Sequence, residues 1–478
     1  MSPIKQKTTN GLKWSAIERI ATQAIQLVVM LILGRMLGPE AFGLVGMLAI
    51  FIAISQTFVD SGFSSALIRK QDRSEADYAT TFYFNIVVSL SCYVLLFICA
   101  PYIADFYHQP ELINLTRVLG IVILVNAFAV VQRTRLTVAM DFKTQAKASL
   151  LSVSCSTIIT LILAYYNFGV WALVGQTLSF AIFNVILFNV LDPWLPKCGF
   201  SKASFKELFG FGSKLLASAI LATIYENIYQ IIIGKLFNAG QLGLFTQAKN
   251  LSSMPAMTLT GIIQRVTYPM MSQIQNDKQA LDKAYLLTLR LAAVVISPLI
   301  IGLGLVSKPL LTVLLGQEWQ SAAELMTILC IGYMLYPIHA INLNLLQVKG
   351  RSDLFLKLEI IKKVITTIVL VITVPLGIKA ICIGMVTQSY LALFINTYYT
   401  GKLSSLTMLK QFKALISIWL LTFGCAAVAS LWYLIVGNDI IQLGLIIITA
   451  LGLYIIAIKY LQSDLFDYMI NTIFRKSN

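Results

Sequence analysis

Apolar blocks of about 20 residues follow one another along the whole chain, with only short polar stretches between them. As a helix, a block of that length spans about 30 Å, the thickness of a bilayer's hydrocarbon. A membrane strand would show about ten residues of alternating polarity instead, and these blocks do not alternate. Composition points the same way. Hydrophobic residues are 58% and charged residues 12% of the chain, against roughly 25% charged in a soluble domain. That leaves too little polar surface to cover a water-facing globule. The chain is therefore expected to be an all-α polytopic membrane protein with about fourteen transmembrane helices.

The blocks fall at 14–37, 42–66, 80–104, 113–138, 147–166, 170–191, 209–236, 242–268, 284–307, 322–346, 354–375, 378–399, 412–436 and 440–461. Those at 147–166 and 354–375 are short or charged near an end, and about twelve spans is the alternative count. Loop charges set the orientation. The even-numbered connections are basic: Arg69, Lys70 and Arg73; Arg135, Lys143 and Lys147; Lys197, Lys202 and Lys206; Lys278 and Lys283; Lys349, Arg351 and Lys357; Lys402, Lys410 and Lys413. The odd-numbered ones are poor in cations, holding Glu40, then Asp105 and Glu111, and later Lys235, Lys308 with Glu318, Lys379 and Asp439. Lys and Arg collect on the cytoplasmic side, so both termini, including Arg475-Lys476, are expected there. The polar start with Lys5, Lys7 and Lys13 reads as an uncleaved cytoplasmic tail, since no small-residue cleavage site follows the first block.

The net charge of +15 is mostly this orientation signal. No soluble basic domain exists to hold a nucleic acid, and no loop is long enough to house a catalytic or nucleotide-binding domain. The 7 cysteines form no CxxC pair, and the 2 histidines are His108 and His339. Neither a metal site nor a cofactor is expected.

An internal repeat shows at an offset of 200 in Gly34-Arg35-Met36-Leu37 against Gly234-Lys235-Leu236-Phe237, and in Phe42-Gly43-Leu44 against Leu242-Gly243-Leu244. In each case a helix ends, a tight outer turn follows, and the next helix begins on a glycine. Gly169-Val170-Trp171-Ala172 echoes Gly377-Ile378-Lys379-Ala380. The offset covers an even number of spans, so the halves run parallel, an arrangement found in transporters. The expected division is an N-terminal six-helix lobe at 1–196, a C-terminal six-helix lobe at 197–401, and two further helices with a tail at 402–478.

Ionisable groups at membrane depth are costly and count as functional candidates. Glu18 and Arg19 lie about one turn into the first block, and Thr22 and Gln26 continue the Glu18 face at spacings of four. Thr223, Glu226 and Gln230 form a similar face in the seventh block, with Glu226 near its middle. Gln26 and Glu226 correspond under the repeat. Lys249 and Asn250 lie in the eighth block, where the first half has Ala49 and Ile50. Lys214, Arg133 and Arg265 sit near cytoplasmic ends, where snorkelling explains them equally well. Together with Arg19 and Lys249 they suit a phosphate or pyrophosphate. Arg19, Gln26, Lys214, Gln230, Lys249 and Asn250 are the candidates for cargo binding. Glu18, Asp60 (paired with Gln56 one turn away) and Glu226 are the candidates for binding a coupling proton or sodium ion.

The run Gly34-Arg35-Met36-Leu37-Gly38-Pro39-Glu40-Ala41-Phe42-Gly43 resembles the outer hairpin of bacterial polysaccharide-export flippases of the Wzx type. Their family belongs to the multidrug/oligosaccharidyl-lipid/polysaccharide superfamily. Asp60-Ser61-Gly62-Phe63 with Ala66-Leu67-Ile68-Arg69, Tyr268-Pro269, and Leu315-Gly316-Gln317-Glu318-Trp319 look like later elements of the same family. The similarity is nearest to the colanic-acid-exporter-like subgroup. It implies two six-helix lobes with alternating access. It also implies a cargo, an undecaprenyl-pyrophosphate-linked oligosaccharide flipped to the periplasmic leaflet for capsule, exopolysaccharide or O-antigen assembly. A polysaccharide polymerase and the lipid bilayer are the implied partners. No clear motif assigns binding residues in that family, so the candidates above rest on the polar faces alone. A cation-coupled multidrug exporter is the first alternative. A membrane-embedded glycosyltransferase or polymerase is the second, disfavoured by the short outer loops. No GxxxxGK[ST] stretch is present, which excludes a P-loop pump.

Overall fold

A computed structural model describes residues 3–60 and 62–474. Ser61, Arg475 and Lys476 lie outside the described residues, as do the side chains of Lys5 and Lys7. The helices in chain order are α1 (Pro3–Asp60), α2 (Phe63–Arg69), α3 (Glu75–Tyr107), α4 (Leu112–Ala127), α5 (Val130–Val138), α6 (Phe142–Tyr165), α7 (Trp171–Leu191), α8 (Lys202–Leu236), α9 (Ala239–Gln273) and α10 (Lys278–Leu305). They continue with α11 (Ser307–Leu314), α12 (Gln320–Tyr333), α13 (Tyr336–Val348), α14 (Ser352–Thr373), α15 (Ile378–Leu403), α16 (Met408–Ala429), α17 (Trp432–Ile435), α18 (Asp439–Leu461) and α19 (Ser463–Phe474). No strand occurs among the described residues. The all-α expectation holds.

Among the described residues, 11 segments are long and apolar enough to cross a membrane. The first, Lys13–Arg69, runs 57 residues and is broken at Gly38, whose φ of 70° and ψ of 177° only glycine adopts without strain. It therefore covers the first two expected spans. Helices α9 and α14, expected as the eighth and eleventh spans, do not meet the apolar criterion. Their sequences explain this: α9 carries Lys249, Asn250 and Arg265, and α14 carries Lys357, Glu359, Lys362 and Lys363. The expected number of spans is reached only when both are counted.

Several helices start where side chains can satisfy the free amides of a first turn. Ser74 caps α3 with Asp77 in a reciprocal capping box, Asp141 caps α6, Ser201 caps α8, Asp277 caps α10 and Asn438 caps α18.

By contacts, the chain divides into two compact units, Met1–Gly243 and Leu244–Asn478. In the first, Val29, Leu33 and Ala41 of α1 form a core with Ala164 of α6 and with Ala172 and Leu173 of α7. A second cluster joins Phe63 and Leu67 of α2 to Leu208 of α8, with Phe63 stacked on Phe84 of α3 at 4.6 Å. Lys70 bridges Asp77 at 3.0 Å and Glu207 at 2.9 Å. These contacts bind α8 to α2 and α3. The compact unit therefore extends past the proposed repeat boundary at 196, because packing and ancestry need not divide a chain at the same residue.

The two echoed hairpins meet inside this unit. An added Cβ on Gly43 would stand 1.7 Å from the carbonyl oxygen of Ala239. One on Gly243 would stand 1.8 Å from the carbonyl oxygen of Pro39. Each glycine thus lets its own helix start pass against the backbone of the other turn.

In the second unit, α10 runs through the core, with Leu289, Ala293, Ile296 and Ile300 fully buried. The segment beyond the repeat is fastened to it. Val306 packs with Ala429 of α16 and Ile446 of α18, and Tyr454 of α18 donates to the Val294 carbonyl at 2.9 Å. Tyr285 of α10 reaches a buried polar cluster formed by Asn342, Thr400 and Gln411.

Candidate functional site

The first unit holds a polar pocket of about 510 Å³ where the end of α1 meets α2, α4, α5 and the middle of α7. Gln56, Asp60, Asn126, Arg133, Thr137 and Thr177 give it its polar character. Arg133 is held in place from behind. It donates to Asn184 Oδ1 of α7 at 3.1 Å and lies over the Phe188 ring at 5.6 Å. Its charge acts on the Asp60 carboxyl. Gln56 keeps its amide nitrogen without a hydrogen-bond partner. The expected Asp60–Gln56 pair is thus joined in one pocket by Arg133, which the sequence marks only as a cation near a cytoplasmic end.

The other candidates are distributed over α1, α8 and α9. Glu18 accepts from Ser149 of α6 at 2.6 Å, so at least one of its carboxylate oxygens is engaged within the unit. Arg19 and Gln26 are exposed on α1, and Lys214 and Glu226 are exposed on α8. Gln230 is half-buried, and its side-chain oxygen has no hydrogen-bond partner. Helices α1 and α8 pack along each other, with the hydroxyls of Thr57 and Thr223 3.2 Å apart. Only 11% of the apolar window of α8 is buried, the lowest share among the candidate spans. In the second unit, Lys249 is half-buried and Asn250 exposed on α9. The polar face on the seventh block is therefore present on α8. Glu226, near the middle of that block, presents an exposed side chain.

Sequence reasoning missed a second polar cluster. In the second unit His339 of α13 sits between Ser389 and Asn396 of α15, at 3.0 and 3.2 Å. A lone histidine in an apolar block reads from sequence as an isolated oddity. The available signal is Ser389 and Asn396, seven apart on α15 and so on one helix face.

The fold and these polar clusters define a multi-pass membrane protein of two helical units, each with a polar site inside it. A family model described as "Polysaccharide biosynthesis protein" matches residues 32–324, which is more than half of the chain. The protein belongs to this family. It is 27% identical over 74% of its length to the teichuronic acid biosynthesis protein TuaB of Bacillus subtilis, covering 74% of that protein. It is 25% identical over 87% of its length to the lipopolysaccharide biosynthesis protein WzxC of Escherichia coli, covering 85% of that one. Among solved structures it is similar to the lipid II flippase MurJ in an inward closed conformation. The TM-score is 0.74 at 13% identity, over 93% of this chain and 99% of that one. An inward-facing MATE transporter of the MOP superfamily matches with a TM-score of 0.61 at 17% identity, over 82% of this chain and 99% of that one. At these identities the structural matches establish the fold alone.

Proposed function

We propose that this protein flips undecaprenyl-pyrophosphate-linked oligosaccharide repeat units from the cytoplasmic to the periplasmic leaflet for surface polysaccharide biosynthesis, by alternating access. The observation that carries the proposal is membership of the polysaccharide biosynthesis family by a chain that is almost entirely membrane helix. A lipid-linked sugar pyrophosphate has a polar head that hydrocarbon rejects, while its polyprenyl tail can remain in lipid. The poorly buried α8 supports a water-filled path, because a charge exposed to lipid at mid-depth costs several kcal/mol, of the order of 3. Arg19, Lys214 and Lys249, with Gln26, Gln230 and Asn250, are the groups proposed to meet the anionic head. The proposed location is the bacterial inner membrane, the loop charges support both termini in the cytoplasm, and a polysaccharide polymerase is the proposed recipient of the product. We propose no enzymatic step.

The test is a strain lacking this protein. Lipid-linked repeat units are expected to accumulate on the cytoplasmic face, with surface polysaccharide lost. Intact surface polysaccharide and no accumulated intermediate would refute the proposal. The rival reading, a cation-coupled drug exporter, is disfavoured by the cations on α1, α8 and α9, and a drug-efflux assay separates the two.

Energy is proposed to come from a proton or sodium gradient, with Glu18, Asp60 and Glu226 as candidate ion sites. Glu226→Gln is expected to lower export at least about tenfold, roughly the 1.4 kcal/mol of one lost charge interaction, with normal protein levels in the membrane. Full export by that variant, measured as surface polysaccharide per cell, would remove Glu226 from the coupling scheme.

A further inference from the structure

The two units carry comparable side-chain pairs on corresponding helices, with Asn396 about one turn further along its helix than Asn184. Helices α5 and α7 close the fourth and sixth spans of the first half, and α13 and α15 do so in the second. The echoed glycines Gly169 and Gly377 precede α7 and α15. On the first pair, Arg133 donates to Asn184 Oδ1 at 3.1 Å. On the second, Asn396 Nδ2 lies 3.2 Å from His339 Nδ1. Asn184 is 2% exposed and Asn396 0%.

The two amides face opposite ways. Asn184 turns its oxygen to a permanent cation, and its Nδ2 has no hydrogen-bond partner. Asn396 turns its nitrogen to the imidazole, and its Oδ1 has no hydrogen-bond partner. An amide nitrogen only donates, so His339 Nδ1 accepts. The ring proton is then on Nε2, donating to Ser389 Oγ at 3.0 Å, and the Ser389 hydroxyl donates to the Gly332 carbonyl at 3.3 Å. This is a neutral ring with a defined tautomer.

A proton added at Nδ1 would meet the N–H of Asn396 head on. Half a turn of the amide about its last side-chain bond would present Oδ1 instead, reproducing the Asn184 arrangement. The turn leaves the amide's volume unchanged and breaks no other hydrogen bond of Oδ1, which has none. As a residue His339 is only half-buried, and the pair can work only if a proton reaches the ring.

We propose that His339 and Asn396 form a proton-carrying pair of the transport cycle, His339 taking a proton at Nδ1 as the Asn396 amide turns its oxygen to it. The second unit thereby holds a switchable cation where the first holds a fixed one. The inference rests on the transport reading above and names one residue through which a proton gradient drives it. Titratable groups on the helices packed around α13 include Tyr285 on α10, Glu359, Lys362 and Lys363 on α14, Tyr390 on α15 and, on α9, whose Gln264 bonds Asn344 of α13, Arg265. The ammonium of Lys362 acts on the ring and, being positive, opposes a charge there, an effect that its ion pair with Glu359 one turn away offsets.

The experiment expresses variants in the deletion strain and reads surface polysaccharide against external pH, with and without nigericin to collapse the pH gradient. The wild-type chain should restore polysaccharide and respond to the collapse. His339→Gln should export at least tenfold less and no longer respond. Asn396→Asp, whose carboxylate favours the protonated ring, should move the pH of half-maximal export upward by about one unit. A merely structural role would lower export equally at every pH. If the wild-type chain restores nothing, the flippase reading falls. If it restores export and His339→Gln keeps a normal response to nigericin, only this inference falls. Should His339→Gln be poorly produced, an unchanged pH midpoint in Asn396→Asp overturns it instead.

Discussion

Gly43→Val is expected to cut export of surface polysaccharide at least tenfold while the protein still reaches the membrane. The reason is backbone geometry. A Cβ at position 43 would lie 1.7 Å from a backbone oxygen, far inside van der Waals contact, and no side-chain rotation relieves it. Overpacking of a tight interior costs about 1–3 kcal/mol and is met by shifting the backbone. Here the shift must part the turn at Gly38–Gly43 from the turn at Phe237–Gly243. In the proposed orientation both turns lie on the outer side, so a conformation closed on that side would no longer form. Gly243→Val should act alike, since its Cβ meets the Pro39 carbonyl at 1.8 Å. A double-mutant cycle with alanine sharpens the point. Once one methyl has separated the hairpins, the second finds room, so Gly43→Ala with Gly243→Ala should be no worse than the worse single variant. Multiplying losses would mean that the two contacts act separately. Normal export by Gly43→Val would show that the close approach is dispensable.

The second large effect is on stability. Tyr285→Phe is expected to destabilise the protein by about 2 kcal/mol, the scale of stranding a buried acceptor. Tyr285 is fully buried, and its hydroxyl lies 3.0 Å from Gln411 Oε1 and 2.8 Å from Asn342 Oδ1. Asn342 already accepts from Thr400 at 2.8 Å. Gln411 gives its Nε2 protons to Leu406 O at 2.9 Å and Thr400 Oγ1 at 3.2 Å. Its buried Oε1 depends on the tyrosine proton. Removing that proton loosens α16 from α10, α13 and α15. Denaturation in detergent should show a lower midpoint. Adding Gln411→Leu should recover much of the loss, because deleting both partners leaves no orphan. A double variant as unstable as the sum of the two singles would count against the bond. Interhelical hydrogen bonds in membrane proteins average only about 0.6 kcal/mol, so a loss near 2 would mark this cluster as a fastening rather than an ordinary contact.

Much of the candidate site was legible as faces. Spacings of three and four put Thr223, Glu226 and Gln230 on one side of a helix, and Gln56 with Asp60 on one side of another. The sequence did not show that Arg133 completes the Asp60 pocket, since Arg133 lies 73 residues away in a block where snorkelling explains it as well. His339 was passed over for the same reason. Its meaning depends on Asn396, 57 residues on, and on which way that amide points.

Sequence alone determined the solvent this protein lives in, the approximate number and ends of its helices and the glycines of its turns. Those follow from block length and backbone freedom, which are local properties. Tertiary structure alone decided which faces meet: Gly43 on Ala239, Gly243 on Pro39, Tyr285 on Gln411, His339 on Asn396. In a membrane one apolar face is nearly as good as another, because lipid tails are as apolar as leucine. Helix pairing is therefore decided by close backbone approach and by buried hydrogen bonds, whose partners lie far apart in the chain.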